Sequence, residues 1–89
     1  PSTALLVVEV AVSSLTEDRE LCSLYAEAGV KEYWIVDAKR RRVEVFTQPE
    51  NGSYAVARVF EESSVIQALA IPGVEVNVEE LFLGLPQVD

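Results

Sequence analysis

The first half of the chain alternates short aliphatic runs with one amphipathic segment. Residues Leu5–Val10 form an aliphatic run that only Glu9 interrupts and that is too short for a helix, which predicts a strand covered on both faces. Glu32–Asp37 predicts a second buried strand. Between them, Gly29 ends a predicted helix of about three turns, whose apolar positions recur at helical spacing: Leu21, Leu24, Tyr25 and Ala28. The three elements predict a right-handed βαβ unit with parallel strands.

The second half alternates with period two and is punctuated by turn residues. The segments "RVEVFTQ" and "SYAVARVF" flank "PENG", and the pair Asn51 and Gly52 favours a tight turn with positive φ, so an antiparallel hairpin is expected. A shorter apolar run follows at Val65–Ile71. Asn77, with Glu80 three residues later, predicts the cap of a short C-terminal helix. The pattern therefore predicts an α/β fold with a small mixed sheet.

Length and charge narrow the classes of function. Residues 1–89 are enough for a single domain with a modest core, and such a small core favours association with a partner chain. Fifteen acids against seven bases, with no His, give a net charge of −8, which disfavours nonspecific binding to nucleic acid. No apolar run approaches the ~20 residues of a membrane span. We therefore expect no membrane association and a cytoplasmic location.

The cysteine and histidine content limits the metals that the chain could hold. Cys22 is the one cysteine, so the chain forms no internal disulfide, and a zinc site of the usual nitrogen and sulfur ligands cannot be built. Any metal would have oxygen ligands, which favours Mg²⁺ or Mn²⁺. A Cys–His nucleophile is excluded for the same reason, and Cys22 is interpreted as a small packed residue.

Glu9 is the one acidic residue in the first aliphatic strand. A carboxylate in an apolar interior is costly unless it meets a cation, a metal or a full set of hydrogen bonds. Glu9 is therefore a candidate ligand for a divalent metal. The alternative is a carboxylate satisfied by an Arg or by backbone N–H groups at the start of the following helix. Both interpretations remain open from the residues alone.

One short segment concentrates the positive charge of the chain. It consists of Lys39, Arg40, Arg41 and Arg42, and it lies between two predicted strands. These side chains could contact the phosphates of a nucleic acid. The alternative is a solvated run of charge in a turn, which also discourages pairing between sheet edges.

The segments "VVEVAVSSL", "DRE", "SLYAEAGVKEYWIVD" and "RRVEVF", in this order, resemble the Uma-type restriction endonuclease family of the PD-(D/E)xK nuclease superfamily. The resemblance runs from about Leu5 to Phe82. It implies a restriction-endonuclease-like fold and a metal-dependent phosphodiesterase, in which two strand-borne acids bind Mg²⁺ and a lysine steadies the attacking water and the phosphate. Glu9 falls on the strand glutamate of the family.

The chain departs from the family pattern at two positions and in length. The family's lysine stands four residues before the tyrosine that matches Tyr25, and here that position is Leu21. An Asp commonly stands shortly before the glutamate strand, where this chain has Ser2, Thr3 and Ala4. The first half of the family fold, with its metal-binding acid, is not matched. The resemblance therefore implies a truncated fold that corresponds to the C-terminal half.

These departures favour a non-catalytic remnant or interaction module with a nuclease-like scaffold. The alternative is a fragment or subunit of a magnesium-dependent DNA endonuclease that another chain completes. A third hypothesis, DNA binding through the basic segment, is disfavoured by the net charge. Because the strand at Leu5–Val10 would lack one neighbour, we also expect a homo-oligomer in which a second copy covers it.

Overall fold

The computed structural model describes residues 5–11 and 16–83, without the side chains of 16–19. Two helices and six strands follow one another as β1 (Leu6–Ala11), α1 (Thr16–Glu27), β2 (Glu32–Asp37), β3 (Arg42–Glu50), β4 (Ser53–Glu61), β5 (Val65–Gln67), β6 (Glu75–Asn77) and α2 (Val78–Leu83). The predicted βαβ unit, hairpin and short C-terminal helix are confirmed. Neither described helix has the length and apolar character needed to cross a membrane.

Four strands form one mixed sheet in the order β1-β2-β3-β4. β1 runs parallel to β2, so that Leu6 lies beside Glu32 and Ala11 beside Asp37. The pairs β2–β3 and β3–β4 are antiparallel. β5 and β6 form a separate two-stranded antiparallel sheet. The small mixed sheet expected from the sequence is therefore present, with β1 and β4 at its two edges.

Helix α1 ends where the sequence predicts, at a glycine in the left-handed region. Gly29 has a φ of 82°. Its N–H donates to the carbonyl of Ala26 at 3.1 Å, and the N–H of Val30 donates to the carbonyl of Tyr25 at 3.0 Å. This pair of bonds is the Schellman motif, which satisfies carbonyls that the last helical turn would otherwise leave unpaired. The motif directs the chain into β2.

The face that α1 buries differs in part from the predicted one. Leu21, Cys22 and Tyr25 pack against Ala11, Tyr33 and Ile35 of the sheet. Leu24, expected on the same apolar stripe, is 58% exposed. At about 100° per residue, Leu24 lies about 60° from Leu21 on the side away from Cys22, outside the arc that the sheet covers. The apolar spacing predicted the helix correctly but placed the centre of its buried face too far towards Leu24.

The opposite face of the sheet holds the larger core. Trp34 and Val36 of β2 and Val43 and Val45 of β3 form its floor. It is closed by residues of the C-terminal third: Ile66, Ala68, Val78 and Phe82. The side-chain oxygen of Asn77 accepts from the N–H of Glu79 at 3.0 Å, which confirms the predicted cap of α2. This core therefore lies over the two central strands.

β1 is not covered on both faces, contrary to the expectation from its aliphatic run. Val8 is 45% and Val10 47% exposed, because the layer of α2 and β5–β6 covers β2 and β3 and contributes little over β1. Within residues 5–11 and 16–83, β2 is the one strand paired with β1. β1 is therefore an edge strand with one open apolar face.

The β3–β4 hairpin turns through the predicted pair. Asn51 and Gly52 have φ values of 52° and 77°, the signature of a type I′ turn. Gln48, with a φ of 59°, interrupts the regular strand conformation shortly before this turn. Beyond it, the hydroxyl of Tyr54 donates to the carbonyl of Val30 at 2.7 Å. The tip of the hairpin is thereby attached to the C-terminal end of α1.

Candidate functional site

Glu9 lies on β1, on the face that α1 covers, and it is half-buried. Its register partner on β2 is Ile35. The hydroxyl of Tyr25, on α1, donates to Oε1 of Glu9 at 3.3 Å. The partner that the structure describes is therefore a tyrosine hydroxyl, whereas the sequence suggested an Arg or the backbone N–H groups at the helix start. The loop that leads into α1, residues 12–15, lies outside the described residues.

A second acid, Glu44 on β3, flanks Ile35 from the other side. The register places Glu9, Ile35 and Glu44 side by side on three neighbouring strands. Glu44 is 6% exposed and lines the same helix-covered side of the sheet as Cys22. At about 4.8 Å per strand, the Cα atoms of the two acids are about 10 Å apart. Two carboxylates with an isoleucine between them are not arranged as neighbouring ligands.

The described residues do not bring a cluster of metal ligands together around Glu9. Mg²⁺ demands near-octahedral oxygen ligands at about 2.0–2.1 Å. No group of three or more His, Cys, Asp or Glu residues within the described ranges is placed to hold a metal ion. Glu9 therefore supplies one carboxylate where the chemistry needs at least two acids. The role of Glu9 as a metal ligand stays a prediction, and the residues Ser2, Thr3 and Ala4 before it lie outside the described ranges.

Leu21 lies on the face of α1 that packs against the sheet. It packs with Val7 and Tyr25 against the cluster formed by Ala11, Tyr33 and Ile35. A leucine has no charge with which to orient a water molecule or stabilise a phosphate. The position is thus filled by a core contact.

The basic segment lies in the turn between β2 and β3, as predicted, and its first arginine contacts an acid nearby. Lys39 and Arg40 are exposed. The backbone N–H of Arg40 donates to Oδ1 of Asp37 at 3.0 Å, and its guanidinium lies 3.4 Å from Oδ2 of the same residue. Asp37 is 1% exposed, so these contacts satisfy a buried carboxylate. The guanidinium of Arg40 therefore has a structural contact within the turn.

Arg41 forms a two-pronged ion pair with Glu62. Its Nε lies 3.1 Å from Oε1, and its Nη2 lies 2.8 Å from Oε2. The hydrogen bond to Arg41 lowers the pKa of Glu62, and the same bond raises the pKa of Arg41. The guanidinium also lies 4.9 Å from the centroid of the Phe82 ring. Because two of the four basic side chains contact acids, the segment presents less unpaired charge than its sequence implies.

Arg42 begins β3 and is half-buried. Its Nε is buried and has no hydrogen-bond partner among the described residues. Phosphate binding by Lys39, Arg40, Arg41 and Arg42 stays a prediction.

Comparison with known proteins decides the family. The model of the Uma2 family, described as "Putative restriction endonuclease", matches residues 1–79. The chain belongs to the Uma2 family. The resemblance found in the sequence is thereby confirmed, and membership in Uma2 implies a PD-(D/E)xK-like fold. A search of curated proteins found no match.

Membership in the Uma2 family draws attention to Glu9 and Leu21, but the most deeply buried acid among the described side chains lies elsewhere. Glu32, the first residue of β2, is 0% exposed. Its Oε2 accepts from Nε1 of Trp34 at 2.8 Å, and its Oε1 accepts from the N–H of Ala70 at 2.9 Å. The period-two spacing of Glu32 and Trp34 is the one sequence signal for this contact. Because both oxygens are satisfied, Glu32 has a structural role.

A small cavity lies on the α1 side of the Uma2 sheet, beside the second acid. It has a volume of about 290 Å³ and is lined by Cys22, Glu44, Phe46, Ser53, Tyr54 and Ala57. Burial raises the pKa of Tyr54 to about 12, with smaller contributions from Cys22 and Tyr25. At pH 7 the tyrosine is therefore a neutral donor to the carbonyl of Val30.

Proposed function

We propose that this chain is a non-catalytic member of the Uma2 family, which retains a nuclease-like scaffold as a remnant or an interaction module. The observation that supports this proposal is the environment of Leu21. In the family pattern, this position carries the lysine that steadies the attacking water and the phosphate. Here the side chain packs against the cluster that contains Tyr33 and Ile35.

The missing charge matters because hydrolysis of a phosphodiester is catalysed mainly by positioning and by electrostatic stabilisation. A metal ion lowers the pKa of the attacking water, and cations compensate the charge that develops on the phosphoryl oxygens. A leucine supplies neither effect. Glu9, with one carboxylate and a tyrosine hydroxyl at 3.3 Å, does not make up a two-acid site. The scaffold therefore lacks both the lysine and the second acid in its described part.

The test is cleavage of supercoiled plasmid by the purified chain with Mg²⁺ or Mn²⁺, and with a chelator as the blank. We expect no nicking above the blank for the wild type or for Glu9→Gln. Leu21→Lys should not produce cleavage either, because the second acid is still missing. Glu75→Gln, an exposed acid on β6, is the matched control for a carboxylate-to-amide change. Metal-dependent nicking that Glu75→Gln keeps and Glu9→Gln loses would contradict the proposal.

A second candidate is a nuclease subunit that another chain completes. The position of Glu9 on an edge strand favours it, because a strand of another chain could lie next to β1 and bring an acid close to Glu9. The experiment mixes the chain with a candidate partner that supplies a strand-borne Asp and a Lys. Cleavage that needs both chains, and that Glu9→Gln abolishes, would favour this candidate over the non-catalytic one.

A further inference from the structure

The backbone N–H and C=O groups of successive residues in β1 point alternately towards β2 and away from it. The carbonyl of Leu5 accepts from the N–H of Glu32 at 3.1 Å, and the carbonyl of Ala11 accepts from the N–H of Ala38 at 2.9 Å. In a parallel ladder, the backbone groups of every second residue point to the same neighbour. The odd-numbered residues therefore bond to β2. The N–H and C=O groups that point outward belong to Leu6, Val8 and Val10.

The same three residues present an aliphatic face. They lie on the side of the sheet opposite α1, where Leu6 packs at the margin of the larger core. Val8 and Val10 are 45% and 47% exposed. Glu9 is the one charged residue of β1, and it lies on the α1 side. β1 also contains neither Lys nor Pro, the residues that commonly prevent pairing at a sheet edge. In a chain with a net charge of −8, this face of the edge strand is neutral and apolar.

We propose that two copies of this chain pair antiparallel along β1, about a two-fold axis at Val8, and so double the four-stranded sheet. In this register Val8 lies opposite the partner's Val8, and Leu6 lies opposite the partner's Val10. All three residues then exchange N–H···O bonds with the other copy, so every outward backbone group of β1 is paired. The exposed valines cover one another across the same face. A two-fold contact of this kind closes the open edge of both copies.

Charge disfavours the neighbouring register that is centred on Glu9. Because the outward groups belong to even-numbered residues, an alternative register must be shifted so that even residues still face even residues. The next register in one direction centres on Glu9 and places it opposite the partner's Glu9, with Cα atoms about 4.5 Å apart. Like charges directly opposite each other destabilise a strand pair. Centring on Val8 places Glu9 opposite the partner's Val7 and avoids this contact.

The occupant is a second copy because the edge is complementary to itself. A two-fold axis matches its three outward residues to their own equivalents, and an aliphatic strip offers a charged partner no specific contact. The contact is small. Pairing one six-residue strand buries less than the roughly 800 Å² per partner of a standard interface, so a weak association is expected. This inference does not depend on whether the chain is catalytic.

Light scattering and sedimentation on the full chain, from low micromolar to near-millimolar protein, test the dimer. We expect the mass to rise from 9.8 kDa towards twice that value. Val8→Lys places two like charges across the axis and should weaken association at least about tenfold. Val59→Lys, on β4 at the opposite edge and 55% exposed, is the matched control and should leave association unchanged. Circular dichroism confirms that both variants fold. A monomer at every concentration, a larger assembly, or equal effects of the two lysines would overturn the proposal.

Cross-linking tests the register directly. In a Cys22→Ser background, Val8→Cys should form an intermolecular disulfide on oxidation, because Cα atoms about 5.5 Å apart in a hydrogen-bonded pair lie within the range of disulfides. Val10→Cys is the matched control. The two copies of this residue would lie about 13 Å apart along the strands and should not cross-link. Efficient cross-linking through Val10→Cys but not Val8→Cys would refute the register.

Discussion

Replacing Glu9 by Gln separates a structural carboxylate from a metal ligand. The change removes the charge and keeps an oxygen that can accept from the hydroxyl of Tyr25, now 3.3 Å from Oε1. Hydrogen bonds to charged groups contribute about 1.5–3 kcal/mol and neutral ones about 0.5–1.5 kcal/mol, so the weaker bond costs about 1 kcal/mol. Relief of the partly desolvated charge offsets this loss. We expect the free energy of unfolding to stay within about 1 kcal/mol of the wild type.

Magnesium supplies the second arm of the experiment. If Glu9 helped to bind Mg²⁺ with a dissociation constant of about 1 mM, about 10 mM Mg²⁺ would stabilise the fold by RT ln 11, about 1.4 kcal/mol. For a domain of this size, that corresponds to a rise in melting temperature of about 6 to 11 °C. Because the described residues around Glu9 do not assemble a set of acidic ligands, we expect shifts below about 1 °C in both the wild type and Glu9→Gln.

Thermal melts followed by circular dichroism, at constant ionic strength, measure these shifts. Glu75→Gln is again the matched control, since it changes the net charge equally at an exposed site. Nonspecific screening of the acidic chain would act on all three proteins alike. A rise of the calculated size in the wild type and in Glu75→Gln, absent from Glu9→Gln, would show that Glu9 binds the ion and would refute the structural interpretation.

Two further predictions concern stability. Glu32→Ala leaves the buried donors of Trp34 and Ala70 without their acceptor and creates a cavity, so we expect a loss of about 3 to 5 kcal/mol in urea denaturation; a loss below about 1 kcal/mol would contradict this reading. Because the pKa of Tyr54 is raised to about 12 in the folded state, its contribution is complete below pH ~10 and is lost as the pH rises through about 12. Denaturation curves across that window should show a shallower decline for Tyr54→Phe, and equal declines would exclude this contribution.

Features that depend on neighbouring residues were predicted from the sequence. The turn at Asn51 and Gly52 requires positive φ at both positions, and these residue types accept it. Gly29 and Asn77 end and begin helices through bonds to backbone groups a few residues away. In each case the structure needs a particular residue type at one position, whatever the rest of the chain does. The order of elements follows from such local signals.

Features that depend on distant segments were not predicted. The aliphatic run of β1 indicated burial, but whether Val8 and Val10 are covered depends on where β5, β6 and α2 pack. Glu32 is fully buried because the N–H of Ala70, far along the chain, donates to it. No spacing in the sequence marks this pair. The same holds for Arg41, whose acidic partner Glu62 belongs to the turn after β4.

The parts of the candidate site that were predicted correctly came from the family resemblance. Membership in the Uma2 family is confirmed over residues 1–79. The resemblance also led to Leu21, whose packing agrees with an apolar role. The hydroxyl of Tyr25 at Glu9 was not foreseen, because a tyrosine on the apolar face of a helix gives no indication of where its hydroxyl points. The metal and phosphate roles of Glu9 and of the basic segment stay predictions.

The connectivity of the sheet also bears on the order in which it assembles. A two-residue turn joins β3 to β4, and a short loop joins β2 to β3. These three strands can therefore pair at little cost in chain entropy. β1 reaches β2 only after the whole α1 crossover has closed, and contacts between distant segments form slowly. We therefore expect β1 to be the last of the four strands to join this sheet. Until it docks, β2 is itself an edge strand, and a newly made chain passes through a stage in which the wrong strand is available for pairing.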